Sequence, residues 1–113
     1  MITIWHNPRC SKSRQALALL EGRGKEVQVR RYLEDAPSVE ELRLTRDTLG
    51  LRAIEMMRTG EALFRELGLS KSDNDEALIA AMAENPKLIE RPVVFANGQA
   101  RIGRPPEAVL EIL

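Results

Sequence analysis

Apolar and polar positions along this chain fall into short runs of two different periods. Ile2-Thr3-Ile4-Trp5 is β-rich and apolar, so residues 2–6 are predicted as a buried strand ending at the Asn7-Pro8 turn signal. Gln15-Ala16-Leu17-Ala18-Leu19-Leu20 is helical in character, and residues 10–23 read as a helix stopped at Gly22-Arg23-Gly24. Val27-Gln28-Val29-Arg30-Arg31-Tyr32 alternates and predicts a second strand. Strand, helix and strand at these lengths make a βαβ unit, whose two strands run parallel.

Ala36-Pro37-Ser38 breaks the chain, and the middle is helical. Ser38 and Glu41 form a capping-box pattern for a helix reaching about Leu49, closed by Gly50. A shorter helix is predicted over Leu51–Arg58, with Ile54, Met56 and Met57 apolar, and another over Glu61–Leu67, closed by Gly68. Ser72-Asp73-Asn74-Asp75 caps a further helix, Glu76–Glu84, ended by Asn85-Pro86. Arg91–Ala96 then reads as a buried strand, Asn97-Gly98 as a hairpin turn, and Gln99–Gly103 as its antiparallel partner. Pro105 opens a final helix over Pro106–Ile112. The order βαβ, helical insertion, ββα predicts an α/β protein with a mixed four-stranded sheet, the thioredoxin-like layout. Residues 1–113 are expected to be one domain, with 1–35 and 87–113 as its thioredoxin-like core and 36–86 as a helical insertion.

Charge removes several function classes. Seventeen basic and seventeen acidic side chains cancel, so neither nucleic acid nor a membrane surface is an expected partner. No apolar run is long enough to span a bilayer and no signal-peptide pattern opens the chain. One cysteine excludes an internal disulfide and fits a reducing cytoplasm. One cysteine and one histidine cannot close a zinc shell, so no metal is expected. With no exposed apolar stripe in the pattern, a monomer is expected.

The chemistry concentrates in His6-Asn7-Pro8-Arg9-Cys10-Ser11-Lys12-Ser13-Arg14. Cys10 falls at or near a helix N-terminus, where free N–H groups and the helix dipole favour negative charge. Arg9, Lys12 and Arg14 lie close in sequence. All of these favour thiolate, the nucleophilic form, and the same N–H groups suit an oxyanion. The bland alternative is a small buried hydrophobe.

The motif around Cys10, Tyr32-Leu33-Glu34, Ile89-Glu90-Arg91-Pro92-Val93-Val94 and Arg101-Ile102-Gly103-Arg104-Pro105 together resemble the glutaredoxin-coupled arsenate reductase family. The resemblance implies Cys10 as nucleophile and Arg58, Arg91 and Arg104 as ligands for arsenate and its products. It implies glutathione as co-substrate with no bound cofactor, glutaredoxin as partner, and a cis Pro92 facing the cysteine. His6, Asn7, Ser13 and Arg14 are expected to support the loop, Asn7 through side-chain-to-backbone hydrogen bonds. Position 11 is serine where better-known members often have glycine, and those members continue beyond the final helix. The alternatives are a thiol-dependent oxidoreductase of another substrate, or an Spx-like transcriptional regulator. The latter often carries Cys-x-x-Cys, whose second position is Ser13 in this chain.

Overall fold

The computed structural model describes residues 1–113 as two compact units. The first comprises Met1–Asp35 with Arg91–Leu113, and the second Ala36–Glu90.

The first unit holds strand β1 (Ile2–Trp5), helix α1 (Ser11–Gly22) and strand β2 (Val27–Arg30). Strands β3 (Val93–Ala96) and β4 (Gln99–Ile102) complete a sheet of order β2-β1-β3-β4. β1 pairs parallel with β2 and antiparallel with β3, which pairs antiparallel with β4. This is the mixed, thioredoxin-like sheet. The β3–β4 turn puts Asn97 at φ 54° and Gly98 at φ 74°, the two positive values that a tight hairpin of this twist demands.

Ile2 and Ile4 point to one face of the sheet and pack with Ala16, Leu20, Val94, Ala96, Val109 and Ile112 into a core. Burying each of the larger of these side chains stabilises by about 1.5–3 kcal/mol. The alternate residues Trp5 and Phe95 meet on the opposite face, ring centroids 5.2 Å apart, with the Arg30 guanidinium 5.7 Å from the Trp5 ring.

The last segment departs from the predicted α-helix: Pro106–Ile112 is a 3-10 helix. Its three-residue period lines up Pro106, Val109 and Ile112, all buried, against the core. β2 also ends earlier than expected, because the Arg31 carbonyl turns to accept the N–H groups of Glu34 and Asp35.

The second unit carries α2 (Val39–Leu49), α3 (Ala62–Glu66) and α4 (Asp75–Glu84). The α2 capping box forms as expected, with Glu41 N–H donating to Ser38 Oγ at 3.1 Å and Ser38 N–H to Glu41 Oε1 at 3.0 Å. The helix predicted over Leu51–Arg58 shrinks to a 3-10 turn, Ala53–Met56. Met57 is extended and bridges Ile89; Glu90 N–H donates to Met56 O and Arg58 N–H to Leu88 O. Backbone groups committed to that pairing cannot also close helical turns. No helix of the protein is long and apolar enough to cross a membrane.

Candidate active site

Sheet register places the site. Trp5 pairs with Val93, and Val93 with Ile102, so the chain leaving β1, the chain entering β3 and the chain leaving β4 emerge at one end of the sheet. Those segments are His6–Cys10, Arg91-Pro92 and Gly103-Arg104. Arg91–Pro92 is cis, as the resemblance implied, and Arg104–Pro105 is cis as well, which the sequence reading missed. The repeated Arg-Pro dipeptide was the available signal.

Cys10 is the N-cap of α1, in extended conformation, and its thiol is free and 8% exposed. Burial is the largest influence on this thiol and pushes its pKa up. The Ser13 N–H, the Arg91 guanidinium through a hydrogen bond and its charge, and the Lys12 N–H together outweigh it. The net effect holds Cys10 below the ordinary thiol value. Arg104 adds a second guanidinium: its Nη2 donates to Cys10 Sγ at 3.9 Å while its Nε donates to the Arg91 carbonyl at 3.0 Å.

The cations expected from local sequence do not supply this charge. The Arg9 and Lys12 side chains are exposed, and Arg14 turns its Nη1 to the Pro8 carbonyl at 3.0 Å. Lys12 acts on the sulfur through its backbone N–H. The strong cation beside Cys10 arrives instead through the sheet, from Arg91.

The loop itself is tied at each step. Cys10 N–H donates to the Asn7 carbonyl at 3.0 Å, and Arg9 N–H to Asn7 Oδ1 at 3.0 Å, the loop-holding role expected of Asn7. Asn7 N–H donates to Ser13 Oγ at 3.0 Å, and the same oxygen lies 2.7 Å from His6 Nδ1. His6 is buried, and burial, followed by the charges of Arg31 and Arg14, holds its pKa below the ordinary histidine value against a smaller opposing pull from Glu21. Gly103 backs the cis proline: its N–H donates to the Pro92 carbonyl at 2.9 Å, and a Cβ there would stand 2.7 Å from Pro92 Cγ. Arg58 belongs to the helical unit, where its Nη1 lies 2.7 Å from Glu61 Oε2.

A nucleophilic sulfur ringed by N–H groups and guanidinium groups can attack an electrophilic oxyanion, because the donors offset the repulsion between two negative reactants. Residues 5–112 match the model of the ArsC family. The arsenate reductase of Neisseria meningitidis serogroup A is 48% identical over 114 residues, covering 99% of this chain and 97% of that one. The arsenate reductase of Haemophilus influenzae is 46% identical, covering 99% and 98%. Among solved structures, the arsenate reductase from Vibrio cholerae superposes with a TM-score of 0.95 at 60% identity, covering 99% of this chain and 97% of that one. A family pattern spanning nearly the whole chain, and relatives alike over both full lengths, place this chain in the ArsC family.

Proposed function

We propose that this protein reduces arsenate to arsenite through a covalent adduct on Cys10, with electrons from glutathione and glutaredoxin. The observation that carries the reading is the convergence on one sulfur of the Lys12 and Ser13 N–H groups and the Arg91 and Arg104 guanidinium groups. The family membership and the named relatives support arsenate as the oxyanion.

In this reading the Cys10 thiolate attacks arsenic(V), an S–As bond forms, and the As–O bond to an arsenate hydroxyl breaks as that hydroxyl takes one proton and leaves as water. Arg91 and Arg104 hold the remaining oxygens; arginine suits the task because its planar fork is always charged and binds oxyanions bidentately. The thiolate of glutathione then attacks the Cys10 sulfur. The S–As bond breaks with its electron pair staying on arsenic, which departs as arsenite, and a Cys10–glutathione disulfide remains. A glutaredoxin thiolate attacks the glutathione sulfur and releases Cys10 as thiolate. No second cysteine in this chain is needed. Such a cycle requires a reducing compartment, which makes the cytoplasm the expected site and arsenic detoxification the expected role.

Arsenate-dependent NADPH consumption, coupled through glutathione reductase, glutathione and glutaredoxin, tests the activity. Wild-type protein should sustain it and Cys10→Ser should not; a wild-type protein with no arsenate-dependent rate overturns the proposal.

A further inference from the structure

Ser13 is completely buried in the first turn of α1, and three groups of the Cys10 loop meet on it. Its N–H faces the Cys10 sulfur. Its Oγ accepts the Asn7 N–H at 3.0 Å and lies 2.7 Å from His6 Nδ1. A serine hydroxyl has one proton to give and two lone pairs. With the Asn7 N–H already on the oxygen, the protein atom placed to take the Ser13 proton is His6 Nδ1. A buried hydroxyl without an acceptor is costly, so Nδ1 must be the unprotonated nitrogen and Nε2 must carry the proton. A proton on Nδ1 would fill the second lone pair of Oγ and leave the hydroxyl hydrogen without an acceptor. The charged groups around His6 act in the same sense on balance: Arg31, beyond β2, and Arg14, on α1, oppose an imidazolium, and Glu21, also on α1, favours one.

We propose that the Ser13 side chain is a positioning residue for the reaction: it fixes His6 as the neutral Nε2–H tautomer, anchors the Asn7 N–H, and so keeps the loop where the Lys12 and Ser13 N–H groups aim at the Cys10 sulfur. This deepens the reading of Cys10 as nucleophile and rests on it. It also gives position 13 a task that a resolving cysteine could not share, since a thiol is a poor hydrogen-bond partner for either neighbour.

The chain has a single histidine and a single cysteine, so both ends of the arrangement can be watched without interference. Nitrogen-15 NMR of the imidazole should show the Nε2–H tautomer alone in wild-type protein near neutral pH. In Ser13→Ala the tautomers should mix, the midpoint of Cys10 alkylation against pH should rise, and kcat/KM should fall by about a hundredfold. His6→Asn places an amide oxygen where Nδ1 stood; it should keep more activity, and a lower alkylation midpoint, than His6→Leu, which provides no acceptor. An imidazole protonated on Nδ1 in the wild type, or a Ser13→Ala protein with unchanged tautomer and alkylation profile, overturns the proposal. Neither readout uses arsenate, so a failed activity assay and a failed relay are distinguishable.

Discussion

At Cys10 the deciding contest is between burial, which favours thiol, and the nearby donors, which favour thiolate, and the donors prevail. Alkylation of this cysteine, followed against pH, should therefore have its midpoint below the ordinary thiol value, and kcat/KM should rise over the same range. Arg91 is the charged group nearest in effect to the sulfur. Arg91→Ala should raise that midpoint and lower kcat/KM by about ten- to a thousandfold, and Arg91→Lys should recover only part, having charge without the planar fork. Both titrations also bear on stability. His6 has its folded pKa lowered from 6.5, so between that lowered value and 6.5 the unfolded chain binds more protons. Stability should fall as pH drops through this window. The lowered Cys10 pKa works in the same direction at higher pH, adding stability as pH rises toward 9.0. Thermal melting across pH should show Tm rising through neutrality, with Cys10→Ser flattening the alkaline part. Cys10 was legible in sequence as the candidate nucleophile because a lone cysteine after a strand and a turn falls at a helix start, and it is the N-cap of α1. The source of its charge was not. Sequence neighbours such as Arg9 point outward, whereas Arg91 is brought in by sheet pairing that no local pattern encodes.

Elements with strong local signals form where the sequence put them. The Ser38 box starts α2, Gly50 at φ 70° ends it, and Asn74 caps α4 by accepting the Ala77 N–H at 2.8 Å. Segments whose backbone is claimed by tertiary pairing do not: Leu51–Arg58 gives up helix to pair with residues 88–90. Gly103 is a related case, an unremarkable strand-end glycine in sequence that the fold presses against Pro92. Gly103→Ala must push Pro92 or the β4 end aside. It should cost about 1–3 kcal/mol of stability, read from chemical denaturation, and slow Cys10 alkylation by displacing Arg91 and Arg104. Unchanged stability and alkylation would show that the contact relaxes freely.

For the whole molecule, the sheet order was readable because a βαβ unit and a tight hairpin leave few ways to assemble four strands. That topology makes the site: it gathers Cys10, Arg91 and Arg104 at one end of one sheet, although they lie far apart in the chain. The proposed cycle passes through a Cys10–glutathione disulfide, which forms only after the oxyanion has reacted at Cys10. Intact-mass analysis of wild-type protein incubated with arsenate and glutathione, without glutaredoxin, looks for it directly. One glutathione should be attached to Cys10, the attachment should require arsenate, and added glutaredoxin should remove it. A Cys10 that alkylates readily yet gains no glutathione in the presence of arsenate would contradict the account.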